Sequence, residues 1–505
     1  MLVYAGAAAL VGYFVTLVLY RLFLHPLAAF PGPKLAAATL WYEFFYDGIR
    51  RGQYTFKIQE MHEKHGPIVR ISPNELHCND PAFIDTLYAG GSARRDKYDY
   101  FASQFGVFGT VHHNLHRLRR GAMNRFFSKA SVTKLEPTIH DKIDKLYHQL
   151  CTHMGDEAPV ELNMAFSCFT TDVVTTYAFA KCYDFLDDAS FQSNFHEPIV
   201  AGTNLGPYIK QFPFIYPLMR CLPDSWVTAL NPEMGIFLQF QRDVKAQIRE
   251  IQNQKGTGKE RAKDHNLHAT IFHELLESDL PESEKAAVRL WQEGQIIVGA
   301  GTETTAWTLS VIFFYVLNDR NVYDTLMKEL EHALPDPASR PSCSDLEKLP
   351  YLISLRLSYG VSTRLQRVSP DGPMLYRPSD AVSATKLEYV IPRGVPVGMT
   401  SVLVHHNPKL FPRSTEFDPK RWLDSEGKRD RSLEKYILSF SKGSRQCVGI
   451  NLAYAELFMV VGLILRRLGP RLRLYETGLD DVEILHDLFV PIPKLDTKGI
   501  RVRII

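Results

Sequence analysis

From Leu2 to Tyr20 nineteen residues pass without a charge and are mostly apolar, about the ~20 needed to cross a bilayer as a helix. Arg21 and His25 follow at once, and Pro26, Pro31 and Pro33 then stop the helix and make a stiff hinge. A cleaved signal peptide would need a basic start, a shorter apolar run and a small-residue cleavage site, none of which is present. Basic residues collect only after the run, at Arg21 and Lys34, so the positive-inside rule places the body in the cytosol. The expected organisation is a membrane anchor over 1–24, a proline-rich hinge over 25–35 and one large domain over 36–505. The length alone suggests three domains, but no linker of the required kind appears.

Within the body the pattern is mainly helical. Ile68–Ile71 and Glu75–Cys78 read as short strands around the turn Ser72-Pro73-Asn74, a structural hairpin. Residues 135–255 read as several helices, broken at 202–213 and 222–232 by Gly, Pro and Asn. The longest helical pattern spans 284–317 and turns apolar on nearly all faces from Ile296, as in a helix that passes through the middle of a protein. An amphipathic helix follows over 319–334, then a strand-like alternation over 361–368, and a β-rich tail over 480–505 with a turn at 489–493. The fold class expected is mainly α with a smaller β region behind one N-terminal transmembrane helix.

The composition is that of a globular protein with a large core: 45% hydrophobic, 11% aromatic and 23% charged. A net charge of +2 argues against nucleic acid as a partner. Seven cysteines, odd in number and without any C-x-x-C pair, suit a reducing compartment.

One cysteine stands apart. Phe440-Ser441-Lys442-Gly443-Ser444-Arg445-Gln446-Cys447-Val448-Gly449 reads as a loop presenting a thiol just ahead of a helix. The glycines let the backbone turn tightly, and aligned amide dipoles favour the thiolate. A thiolate is one of the few axial ligands of haem, and Arg445 suits the acidic side groups of the macrocycle. Ala300-Gly301-Thr302-Glu303-Thr304-Thr305 places a glycine, an acid and three hydroxyls inside the long helix. Hydroxyls that bond back to carbonyls four residues earlier are one account of it. The run His112–Ser128 is dense in Arg and His, and the arginines would repel a metal cation.

The Cys447 loop resembles the ligand loop of the cytochrome P450 family, F-x-x-G-x-R-x-C-x-G, at every fixed position. The segment at Ala300 matches that family's A-G-x-[DE]-T-[TS]. The resemblance implies a haem b held through Cys447, with Phe440, Gly443, Arg445 and Gly449 shaping its loop. Ala300 and Gly301 would leave room for oxygen and substrate, and Thr304 and Glu303 would deliver protons. Its W-x-x-x-R helix corresponds to His116 and Arg120, which would bind a haem propionate, as would Arg367; Val361–Leu365 would border the substrate. The middle third would form a lid; Arg117 and Arg119 read as surface charges, and Arg364 equally as a substrate-bordering residue or as a surface charge on a strand. It further implies O2 and NADPH-derived electrons through a membrane reductase, with cytochrome b5 as a further donor, and a monomer in the endoplasmic reticulum membrane. The phrasing over 357–370 is closest to fungal microsomal members of the trichodiene oxygenase kind, which implies a small apolar substrate, a terpenoid or polyketide intermediate. A haem-thiolate isomerase or dehydratase is the alternative enzyme class, against which Glu303 and Thr304 count.

The resemblance breaks once. The family's E-x-x-R helix is represented by Arg356, but Ile353 stands at the Glu position and the spacing is about five residues short. Its meander partner survives as Arg421 in Phe417-Asp418-Pro419-Lys420-Arg421-Trp422. Arg356 and Arg421 would then face each other without a carboxylate, unless another acid such as Glu347 replaces it. A lost coding segment or a divergent, inactive protein would each account for this.

Overall fold

The fold is organised around a helix of 32 residues, Ala287–Asn318, whose buried positions lie on every face. The computed structural model describes residues 1–104, 106–192, 195–230, 232, 234–256, 270–355, 359–379 and 387–505. Among these the helices of eight or more residues are α1 (Leu2–Leu19), α2 (Tyr54–His65), α3 (His113–Asn124), α4 (Lys129–Thr152) and α5 (Leu162–Phe179). They continue with α6 (His196–Asn204), α7 (Met234–Gly256), α8 (Ala287–Asn318), α9 (Arg320–Ala333) and α10 (Ile450–Leu468).

Two apolar helices are long enough to cross a membrane, and burial separates them. Leu2–Leu24 has a mean hydropathy of 2.1 and buries nothing against the protein, whereas α8 is mostly enclosed. An exposed apolar helix long enough to serve as the expected anchor, followed by a core helix, is thus present. The end of the first helix is tied to the body, since Arg21 donates to the carbonyl of Ala38 and Arg70 donates to that of Arg21.

Helix α5 packs along α8 over an unusually polar seam. Thr170 Oγ1 donates to the Thr302 carbonyl and the Thr171 and Thr302 hydroxyls meet at 3.1 Å. Each such buried bond stabilises by roughly 1 kcal/mol and, more important, removes the larger cost of an unpaired hydroxyl. The core runs from this seam through α4, α9 and α10, with residues such as Phe166, Phe313, Leu330 and Ile464 fully enclosed.

The strands are short: β1 (Ile68–Arg70), β2 (Leu76–Cys78), β3 (Asp96–Lys97), β4 (Val160–Glu161), β5 (Arg367–Val368), β6 (Met374–Tyr376), β7 (Tyr389–Ile391), β8 (Pro396–Gly398), β9 (Leu472–Leu474), β10 (His486–Leu488), β11 (Val490–Ile492) and β12 (Arg501–Ile504). One sheet has the order β1-β2-β8-β5-β3, and β4-β12-β9 forms another. The expected hairpin is present, with Val69 opposite His77. The β-rich tail also forms, and its turn at Phe489 has φ 78°.

The strand-like stretch over 361–368 forms a ladder only at Arg367–Val368, yet its alternation is real. Val361, Thr363, Leu365 and Arg367 face a central cavity. On the other side Ser362 donates to Asp487, Arg364 to Glu43 and Asp47, and Gln366 to Glu75. Arg364 is thus a buried ion-pair partner, neither lining the central cavity nor at the surface, because three carboxylates converge on it and on Lys210. Arg119 also leaves the surface, paired with Glu284 at 2.7 Å, while Arg117 stays exposed.

Candidate active site

A cavity of about 340 Å³ lies between α8 and the loop that carries Cys447. Cys447 lines it from one wall, with Ala300, Gly301 and Thr304 on another.

The loop is held by backbone bonds before any ligand is considered. The Cys447 amide donates to the Phe440 carbonyl at 2.9 Å and that of Ser444 to Ala89 at 3.3 Å. Gly443 sits at φ +69°, and a Cβ there would strike the carbonyl oxygens of Tyr88 and Ala89 at 2.0 and 2.4 Å, so no other residue fits. Gly449 has a negative φ and open space where its Cβ would lie. The Phe440 ring packs on Tyr454 at 5.0 Å and closes the loop against α10.

Arg120 buttresses the same loop: Nη1 donates to the Gln446 carbonyl at 2.6 Å and Nη2 to that of Cys447 at 3.4 Å. Burial raises the Cys447 thiol above its ordinary value, while the Gly449 amide and Arg120 pull the other way. The helix terminus expected to supply a thiolate therefore does not do so alone. A metal cation in the cavity would complete that stabilisation.

The other walls are positively charged. Lys97, Arg367 and Arg445 are all at least nine-tenths buried and line the cavity together with Arg120 and His116. Arg445 donates to the carbonyls of Arg95, Thr110 and Val111, and Arg367 to Ser441 and Gln366. Lys97 donates to the Phe108 carbonyl and stands 3.2 Å over that ring. Burial, with Arg367 beside it, brings the Arg445 guanidinium down to about 9; burial, with Arg367 and Arg445 nearby, holds Lys97 well below its usual range. Burial and the same cations, Arg445 first, drive the His116 imidazole far down, so it stays neutral. Among the described residues Asp96 acts on Arg445, and a wall with this many buried cations calls for a further anion in the cavity. The acidic side groups of haem, with iron toward Cys447, fit that donor set.

On α8 the hydroxyls divide their tasks. Thr304 donates to the Ala300 carbonyl at 2.8 Å and faces the cavity, whereas Thr302 is spent on α5. Gly301 lines the cavity, but its missing Cβ chiefly spares Val174, which would lie at 3.0 Å. Glu303 does not line the cavity; its carboxylate points to α6 and meets His196 Nδ1 at 2.6 Å.

Arg421 donates to the carbonyls of Pro412 and Arg413, and among the described residues no carboxylate pairs with it. Arg356 lies outside the described residues. Glu347, the other acid considered, pairs with Lys129 at 2.6 Å, and any approach of it to Arg356 lies outside the described residues. The helix that should bear the missing Glu is a single turn, Pro350–Ile353. Despite the missing carboxylate the Phe417–Trp422 loop is packed, with Phe417 stacked on Tyr315 at 4.6 Å and Trp422 buried against Phe411.

Lys97 and His196 were not legible as site residues. Lys97 follows Arg94-Arg95-Asp96 and reads as one more surface charge, and His196 lies over a hundred residues from Glu303 with no motif around it.

A helical body built on a long central helix, with a cavity between that helix and a cysteine loop, defines a haem-thiolate protein. The chain belongs to the cytochrome P450 family, whose sequence profile matches residues 31–483. It is similar to a cytochrome P450 monooxygenase of Cochliobolus heterostrophus, 41% identical across 97% of this chain and 95% of that protein. A tryptophan 6-hydroxylase of Fusarium equiseti is 40% identical across 97% and 94% of the two chains. An N-acetyltryptophan 6-hydroxylase of Emericella nidulans is 37% identical across 96% and 93%. Like these relatives the chain is a monooxygenase, an oxidoreductase; membership implies haem-thiolate iron, O2 and electrons from a reductase.

Proposed function

We propose that this protein inserts one oxygen atom of O2 into a small, largely apolar substrate bound between α8 and the 361–367 segment. The observation that carries this reading is that Cys447 and Thr304 line one cavity that the buried cations Lys97, Arg367 and Arg445 also line. When bound, haem supplies the oxygen-activating chemistry. The protein's share is to hold it: Cys447 toward the iron, Lys97, Arg367 and Arg445 toward the acidic side groups, with His116 beside them and Arg120 holding the loop. Thr304 delivers protons on the oxygen side, supplied by Glu303. Electrons come from NADPH through a membrane reductase, aided by cytochrome b5. The chain works as a monomer anchored in the endoplasmic reticulum membrane, with residues 36–505 cytosolic.

The substrate is a secondary-metabolite intermediate. An aromatic amino acid or its N-acyl derivative joins the terpenoid and polyketide classes as a candidate, given what two relatives hydroxylate. Apolar side chains such as Val107, Phe108, Ile297 and Leu365 around the cavity suit an indole as well as a terpene. The test is to titrate tryptophan, N-acetyltryptophan and a terpenoid panel into haem-loaded protein, following the Soret band. Reductase and NADPH are then added and the products examined for one added oxygen. A product formed without NADPH would overturn the reading in favour of an isomerase or dehydratase.

Thr304→Ala is expected to lower product per NADPH sharply, toward the ~100-fold at the low end for a lost proton-transfer group, with peroxide making up the difference. An unchanged ratio would leave Thr304 as a hydroxyl capping Ala300.

Deleting residues 1–24 is expected to spare haem binding but not to free the protein wholly from membranes. Trp41, Phe214, Leu218 and Trp226 are exposed, and Trp41 and Phe214 both meet Phe212, beside the segment to which Arg21 is bonded. Exposed aromatic and aliphatic side chains next to an anchor bury into the interface. Vesicle flotation of the truncated chain checks this, and full release at low salt would contradict it.

A further inference from the structure

We propose that His196 is a positioning residue that holds the Glu303 carboxylate on the α6 side of α8, and that α6 must shift before this carboxylate can turn toward Thr304. The inference rests on Glu303 as the proton-supplying acid and adds the group that controls it.

Glu303 and Thr304 are adjacent on a helix of 3.6 residues per turn, so their side chains leave it ~100° apart. Thr304 points into the cavity and Glu303 away from it, toward the first residue of α6. Both members of the pair are sheltered, with side-chain exposures of 16% for His196 and 6% for Glu303. A charged hydrogen bond of this kind is short and strong. It ties α6 to α8.

The surroundings tell when the tether holds. Asn163 of α5 places Nδ2 3.4 Å from the same imidazole nitrogen, and its Oδ1 is in contact with the Ser310 hydroxyl. Glu197 of α6 and Glu161 of β4 also act on the imidazole, with Arg501 of β12 acting in turn on Glu161. Burial pulls His196 down, but Glu303, and then Glu197 and Glu161, more than reverse it and lift it to about 9. Because the folded value is raised, the pair's contribution is complete below the ordinary histidine value of ~6.5 and is lost as pH rises through about 9. At neutral pH the imidazolium therefore clamps Glu303, and only movement of α6 releases it.

The test uses full-length, haem-loaded protein. Hydrogen exchange of peptides covering 195–204 is measured in wild type, His196→Gln and Glu303→Gln at about pH 7.5 and about pH 9.5, corrected for intrinsic exchange. Exchange in both variants should be several-fold faster than wild type at the lower pH, and wild type should join them at the higher. In parallel, peroxide formed with reductase and NADPH, without added substrate, should rise several-fold in His196→Gln. It should fall in His196→Gln/Glu303→Gln to the Glu303→Gln level. Exchange of α6 that is unchanged by His196→Gln and by pH overturns the tether. A peroxide rise that persists in the double variant overturns the control of Glu303. If instead Glu303→Gln leaves product per NADPH intact while α6 exchange responds as stated, the failure belongs to the proton-supply role and not to His196.

Discussion

Cys447→Ser removes the thiolate-type absorption of the reduced, carbon-monoxide-treated protein completely. A serine hydroxyl is a far poorer iron ligand than a thiolate, and no second thiol can take its place. All seven cysteines are free, but among the described residues Cys447 alone lines the cavity, and Cys78, Cys168 and Cys343 are buried elsewhere in the fold. The loop itself should survive, because the Cys447 amide, Gly443 and Arg120 hold its backbone through groups that the substitution leaves untouched. The informative pattern is thus a lost spectrum with a nearly normal circular dichroism. A variant that keeps a thiolate-type spectrum would remove Cys447 from the ligand role. Arg120→Ala gives the milder companion result: weaker haem retention with the thiolate signature preserved, since two loop carbonyls and the Cys447 thiolate lose one supporting cation while the rest of the loop's backbone bonds remain.

Inserting about five residues before Arg356, so that a Glu stands three positions ahead of it, should raise both haem occupancy and the thermal midpoint. A Glu at that spacing lies one turn from Arg356 on the same helix face. It would also extend the single turn at Pro350–Ile353 into a helix long enough to persist by packing. Arg421 now relies on two backbone carbonyls. A carboxylate in a partly screened site adds roughly 1–3 kcal/mol to such a cation, enough to move the midpoint by a few degrees. This is smaller than the loss of a fully buried pair would suggest, because Phe417 on Tyr315 and Trp422 on Phe411 already fix the meander. Parallel expression of both forms, with haem-to-protein ratio and thermal midpoint as readouts, decides the matter. Equal values would show that the carbonyl cage around Arg421 suffices.

Much of this protein is written locally. The anchor, the apolar core helix, the hairpin at Val69 and His77, and the two helices after residue 284 follow from the period and length of apolar runs, which act over a few turns. The cysteine loop and the Ala300–Thr305 segment are legible for a related reason: each packs its chemistry into ten residues or fewer. Even the alternation over 361–368 carried its meaning in sequence, with Val361 and Leu365 toward the cavity and Ser362 and Gln366 away from it.

What the tertiary structure alone decided is how charges were paired. Arg119 looks like a surface residue in sequence and Arg364 equally like a substrate-bordering or a surface one, yet both become buried partners, because their carboxylates arrive from Glu43, Asp47 and Glu284, far along the chain. Lys97 becomes part of a cationic wall only because β3 and β5 pair side by side and bring it near Arg367. Glu303 sits in a recognisable motif, yet its direction depends on His196 of α6, which no local pattern specifies. Helix and strand propensities act between neighbours, whereas electrostatic partners are chosen by whatever the fold brings within a few ångströms, and that choice is made only once the core has closed.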